Sequence, residues 1–388
     1  MPELDTVRGI AILLVLFFHG FADFGTVGLS GLPRLFVLAT TAGWTGVNLF
    51  FVLSGFLITG ILLDSKEKPD YYRSFYVRRA LRILPAYYLL LIVLWLLPRT
   101  GVVDRPISWE YIGLSFIYLS NVTNLFGVPM QYGPLWSLAV EEHFYLLWPA
   151  AVRFSSRRSL AYFATAVFFG CAALRAIAFG LKYSVVQVQS PPYTWLAADG
   201  LAAGALMALY CRRPRVDRKS LTKISLLCIA SALLILAAGL PFGILLSRTL
   251  LGGGSLRLTL VNLFFAGTLG VILVIGTGRW RWLVQRPVLR FFGDISYGLY
   301  LIHMVVFDAF GHFASRYFPI LAWSAVQGHF ALMLVRFAVA AGLAVAIAFL
   351  SRHTVEARFL ALKDRWTAQT LGSITEPRVI HGGRLVRD

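Results

Sequence analysis

Charge is scarce in this 388-residue chain: 14% of residues are charged, against about 25% in soluble domains. Acidic residues are scarcer still, eighteen against thirty-six Lys and Arg, for a net +18. Apolar residues reach 58%. Apolar runs near 20 residues long recur from residue 7 to residue 350, the length a helix needs to cross hydrocarbon. A disordered chain and a soluble doubly wound domain are excluded. The positive charge belongs first to cytoplasmic loops and implies no nucleic-acid partner. Cysteine is equally sparse. Cys171, Cys211 and Cys228 stand far apart without metal-ligand spacing, so neither a disulfide framework nor a zinc site is expected, and no metal is called for. The opening Met-Pro-Glu-Leu-Asp lacks the basic region and cleavage site of a signal peptide, so the first apolar segment is expected to be retained.

Eleven apolar segments are candidate spans: 7–24, 43–63, 80–97, 110–126, 135–153, 160–181, 193–210, 221–240, 256–276, 295–312 and 332–350. Basic residues decide how many of them cross. Lys66, Lys68, Arg73, Arg78, Arg79 and Arg82 place the loop after the second segment in the cytoplasm, and the N-terminus with it. If 110–126 crossed, Arg153, Arg157, Arg158 and the cluster at 212–223 would lie outside. If it does not, twenty-six basic residues fall in cytoplasmic loops and tail, and only eight on or beside the outer side. That segment is also the most polar candidate, with Glu110, Ser115, Ser120, Asn121 and Thr123. The expected fold is an all-α polytopic membrane protein with about ten transmembrane helices and both termini cytoplasmic. An outer re-entrant or lid segment near 110–134 must be shielded by protein, because lipid cannot satisfy its backbone. Residues 1–356 form the transmembrane domain and 357–388 a short basic tail.

Ionisable residues inside spans are costly and mark candidate sites. Arg8 and His19 are 11 residues apart, close to three turns, and share one helix face about 16 Å apart. In Trp136-Ser137-Leu138-Ala139-Val140-Glu141-Glu142-His143-Phe144-Tyr145, residues Ser137, Glu141 and Tyr145 form one polar stripe at i, i+4 and i+8. Counted from the helix ends, Glu141 and His19 reach similar depth, so the carboxylate is expected to orient the imidazole. Arg78, Arg79 and Arg82 fit either a topology signal or a guanidinium site for phosphates. Gly200 and Gly204 suit close helix packing, and Asp199 beside them, inside a span, is expected to have a functional or a pairing role. Tyr297, Tyr300 and His303 lie on one span. His312, His329, His353 and His381 show no evident partner.

Together these stretches resemble the acyltransferase 3 family of membrane O-acyltransferases. The matching pieces are Arg8 with ten residues before His19, then Gly46-Val47-Asn48-Leu49-Phe50-Phe51-Val52-Leu53-Ser54-Gly55-Phe56 and the Arg78-Arg79…Arg82 run ending in Pro85. Trp136-Ser137-Leu138 with Glu141 and Tyr145 follows, and then Ser296-Tyr297-Gly298-Leu299-Tyr300-Leu301-Ile302-His303. They stand in family order and cover roughly residues 4–350. Asn48 occupies a place where the family often has an acid, and Ala197 one where an arginine is expected two residues before Asp199. With no hydrolase-like domain following, the chain resembles the stand-alone members.

The resemblance implies transfer of an acyl group, usually acetyl from acetyl-CoA, to a hydroxyl of a surface glycan or glycolipid at a bacterial cytoplasmic membrane. It implies catalytic roles for His19, Glu141 and Arg8, with Arg78, Arg79 and Arg82 holding the phosphates of the acyl-CoA. Ser54, Trp136, Ser137, Glu142, Tyr145, Asp199, Tyr297, Tyr300 and His303 are supporting candidates. His19 is either the base that activates the alcohol or a transient acyl carrier. Two rival readings stand beside this one: an acyltransferase that tailors a small secreted metabolite such as a macrolide, and a proton-coupled transporter. The bilayer, an acyl-CoA and a carbohydrate acceptor are the expected partners.

Overall fold

Twelve helices of eight or more residues, and no strand, make up the described residues. In order these are α1 (Pro2–Phe21), α2 (Gly31–Thr40), α3 (Thr45–Asp64), α4 (Tyr71–Leu96), α5 (Trp109–Phe116) and α6 (Pro134–Phe154). There follow α7 (Arg157–Gly180), α8 (Asp199–Cys211), α9 (Arg218–Ala238), α10 (Leu256–Gly276), α11 (Pro287–Tyr317) and α12 (Phe330–Ser351). The structure is a computed structural model, and it describes residues 2–102, 106–181, 193–214, 216–245, 256–322, 326–359 and 361–362. Nearly all of the expected basic tail therefore lies outside the described residues.

Among the described residues, eight helical stretches are long and apolar enough to cross a membrane. To these the charge bookkeeping adds α6, which carries Glu141, Glu142 and Arg153, and the 13-residue α8 preceded by the turn Thr194–Ala197. Together they make ten. The contacts between loops explain why α5 is not an eleventh. Lys66 Nζ donates to the Ser155 carbonyl at 2.6 Å, and Arg153 donates back to that of Lys66. Arg212 grips Asp64 through two hydrogen bonds of 2.6 and 2.7 Å, and Arg157 donates to the Arg212 carbonyl. The loops after α3, α6 and α8 thus meet at one end of the bundle, the basic end. That is possible only if the chain between α4 and α6 leaves and returns on the same side.

The intervening segment is short and buried in protein. Ser108 caps α5 by accepting from the Tyr111 amide. Eight residues rise only about 12 Å, far less than a bilayer core. Tyr87 OH donates to the Ser115 carbonyl, Tyr111 OH to that of Tyr132, and Ser120 Oγ to that of Leu135. Burial pushes the Tyr111 phenol up to about 12, so it stays protonated as that donor. Pro134 then starts α6 at its first turn, where a missing N–H costs nothing.

Two crossings use glycine to bring backbones together. A Cβ on Gly9 of α1 would lie 1.9 Å from the Leu289 carbonyl oxygen, and one on Gly293 of α11 would lie 1.9 Å from that of Asp5. Gly55 of α3 and Gly204 of α8 press in the same way on Leu201 and Val52, as expected for a small-residue packing face.

Candidate active site

The α1–α11 crossing carries the site. Further out on the same two helices, His303 Nε2 lies 3.3 Å from His19 Nδ1. His19 Nδ1 is also 3.1 Å from the Val15 carbonyl, and His303 Nδ1 is 2.8 Å from that of Tyr300. A carbonyl oxygen only accepts. In the neutral pair, His303 Nδ1 therefore carries its proton and Nε2 its lone pair, while His19 Nδ1 is the N–H donor to both partners. The remaining nitrogen, His19 Nε2, is left basic. His303 is fully buried, whereas His19 is half-buried and lines a cavity.

Glu141 is not the group that orients His19. Ser54 Oγ donates to Glu141 Oε1 at 2.8 Å, and Tyr145 OH donates to Oε2 at 3.2 Å. The expected meeting of Glu141 and His19 assumed that α6 starts at the outer surface. It starts deeper, because the re-entrant segment feeds it from inside the protein. Tyr132 OH donates to the Leu301 carbonyl, and Ser137 Oγ pairs with Tyr300 OH at 2.6 Å, so the first turn of α6 already lies at the level of His303. Glu141, a further turn along, is about 6 Å deeper toward the basic end than Ser137.

There Glu141 faces cations. Arg8 and Arg79 are within its electrostatic reach, and the Arg79 guanidinium lies 4.5 Å from the Tyr145 ring centroid. Arg8 is held by Asp5 at 2.5 Å. Arg82 sits among Arg8, Arg79 and Arg352. Arg78 does not join them: it is exposed on α4, about 100° around the helix from Arg79. Glu142 faces Arg79, with the tyrosines Tyr87, Tyr88 and Tyr118 near it. Tyr297 OH donates to the Ile83 carbonyl, tying α11 to α4, and Trp136 packs edge-on against Phe51.

Asp199 belongs to a separate cluster. Arg175 Nη2 donates to its Oδ2 at 2.8 Å, Thr259 Oγ1 donates to the same oxygen at 2.8 Å, and Arg175 also reaches the Leu196 carbonyl. The arginine missing at Ala197 is thus supplied from α7. Beyond its basic first turn α7 is uncharged except for Arg175, and that single guanidinium deep in the span was the sequence signal for it. Asn48 meets no acid either: its Nδ2 donates to Asn262 Oδ1 at 2.9 Å, an amide pair that needs no charge. His143, inside the quoted motif, bonds Thr194 Oγ1 at 2.7 Å, and Asn121 donates to that same hydroxyl.

The bundle is that of a polytopic helical membrane protein, and it holds the imidazole pair of His19 and His303 between two of its helices. The chain belongs to the acyltransferase 3 family, whose model, described as an acyltransferase domain, matches residues 1–353. It is 28% identical over 334 residues to a peptidoglycan O-acetyltransferase of Listeria monocytogenes, covering 78% of this chain and 49% of the relative. A putative peptidoglycan O-acetyltransferase of Bacillus subtilis is 35% identical over 162 residues, 38% of this chain and 23% of the relative. A putative O-acetyltransferase of Staphylococcus aureus is 28% identical over 334 residues, 79% of this chain and 50% of the relative. The chain spans no more than about half the length of these curated relatives. No solved structure matches it.

Proposed function

We propose that this chain is an O-acetyltransferase of a bacterial cytoplasmic membrane, moving acetyl from acetyl-CoA to a hydroxyl of a cell-envelope glycan. The observation that carries this reading is the His19–His303–Tyr300 chain, which leaves His19 Nε2 as a base beside a cavity. The acceptor oxygen attacks the thioester carbonyl carbon and gives its proton to His19 Nε2. The carbon–sulfur bond breaks as the carbon–oxygen bond forms, and the leaving thiolate takes that proton, giving an acetyl ester and free CoA. The same lone pair serves if acetyl rests briefly on the imidazole, and a burst of CoA release before ester formation distinguishes that route.

Arg8, Arg79 and Arg82 gather at the basic end, where they suit the phosphates of a donor arriving from the cytoplasm. From Arg8 to His19 is about 16 Å along α1, a distance for an extended pantetheine arm to bridge. The peptidoglycan-directed names of two relatives favour a glycan over a small metabolite as acceptor. The test is acetyl transfer from labelled acetyl-CoA by purified protein in lipid. Wild-type protein should consume acetyl-CoA, and His19→Gln should not. Turnover unaffected by His19→Gln would sink this mechanism.

A further inference from the structure

At the basic end, Arg153, Arg157 and Arg212 are turned inward, each bonded to a neighbouring loop. The loop between α10 and α11 is different. Residues 277–293 hold Arg279, Arg281, Arg286 and Arg290 without a single acid or lysine. All four are exposed, and among the described residues none of them forms an ion pair. A topology signal asks only for positive charge on this side. It does not account for how these guanidinia are arranged.

Two of them lie over indoles. The Arg279 guanidinium is 5.2 Å from the Trp280 ring centroid and that of Arg286 is 4.7 Å from the Trp282 centroid, with the two indoles 6.4 Å apart. Both contacts are within cation–π range, and neither uses an acceptor lone pair, so the N–H donors remain for an oxyanion. Trp280 and Trp282 are 48% and 51% exposed, and tryptophans exposed beside a span sit at the depth of the lipid headgroups. Leu283 and Val288 are exposed on the same stretch, which suits acyl chains rather than a water-soluble acidic partner. The turn Arg281–Val284 therefore lies in the membrane surface, with its guanidinia at the level of the phosphates.

We infer that this turn and the start of α11 bind the phosphate of an anionic phospholipid of the inner leaflet. The surface is separate from Arg8, Arg79 and Arg82, which gather on α1 and α4 near Glu141. Its place ties it to the α1–α11 crossing. Arg286 and Arg290 are one helical turn apart and share a face, and Leu289 between them supplies the carbonyl on which Gly9 of α1 closes. A headgroup held by those two arginines braces the crossing that carries His19 and His303.

The test is native mass spectrometry of the purified full chain titrated with cardiolipin and, separately, with phosphatidylcholine, beside thermal unfolding with each lipid. Wild-type protein should retain cardiolipin in preference to phosphatidylcholine, and cardiolipin alone should raise its melting temperature. Arg286→Gln with Arg290→Gln should weaken cardiolipin binding about tenfold or more, as loss of charged hydrogen bonds to phosphate requires, and should abolish the rise. Arg279→Gln with Arg281→Gln should weaken binding in the same way, and carries the test if the first pair does not insert. Lys68→Gln with Lys223→Gln removes as much charge from other loops at this end and should leave the affinity unchanged. Equal retention of the two lipids by wild-type protein, or equal weakening by the arginine and lysine pairs, overturns the site. None of these readouts requires acetyl transfer, so failure of the O-acetyltransferase reading would leave the lipid site standing.

Discussion

The Arg175–Asp199 cluster and the His19–His303 pair are both polar, both set among apolar helices, and finished differently. Around Asp199 the groups close on one another: guanidinium, carboxylate and the Thr259 hydroxyl bond in a ring, with Arg175 and Asp199 at 0% and 1% exposure. Around His19 the chain of bonds runs from the Tyr300 carbonyl through His303 and stops at a half-buried imidazole. A closed ring holds helices; an open chain has a reactive end. Intramembrane charge alone does not separate these two uses, but the accounting of donors and acceptors does.

If that contrast is right, substitutions at the two places should fail in different observables. His19→Gln should cost about 10²–10⁴ in transfer rate, with insertion and melting temperature unchanged. A matching loss of thermal stability would place His19 with the structural residues. Arg175→Leu should do the converse, costing about 3–5 kcal/mol of stability by stranding a buried carboxylate. Its transfer rate per folded molecule should hold, measured by thermal denaturation in lipid beside activity at low temperature.

Smaller effects sharpen the picture at the basic end. Arg79→Ala and Arg82→Ala should each weaken acetyl-CoA binding by about 1.5–3 kcal/mol, read by isothermal titration, whereas Arg78→Ala should not. Arg79→Lys keeps the topology signal and loses the fork, so its affinity should stay low. His303→Gln should be mildest. Its amide oxygen can still accept from His19 Nδ1, and Val15 keeps its own share of that proton. A loss of about 0.5–1.5 kcal/mol in transition-state stabilisation follows from one altered neutral hydrogen bond, read from kcat/KM.

The ten-span fold was legible because basic residues had to be sorted to one side, and only one placement of 110–126 sorts them. His19, Glu141 and Tyr300 were legible as motif residues on helix faces. Their partnering was not, since depth was counted from the apparent start of α6, whereas the re-entrant segment delivers Pro134 well inside the bundle. Arg175 escaped for a related reason: a one-dimensional register looks for a partner beside Asp199, and the partner stands on another helix. His312 was set aside for want of a partner in the sequence, yet it shares a cavity with His19. Such neighbours belong to the packing of α1, α11 and α12, which no single helix announces.

Backbone contact at Gly9 and Gly293 has a mechanical consequence. It pins α1 to α11 like the rivet of a pair of shears, with His19 near the tip of one blade and His303 partway along the other. The His19 tip lies about 15 Å beyond the rivet, so a tilt of about 4° between the helices displaces it by about 1 Å. Misplacement on that scale can cost about a hundredfold in rate. A methyl group added at Gly9, meeting the Leu289 carbonyl at 1.9 Å, would force the joint open and carry the chemistry out of register from the far side of the membrane.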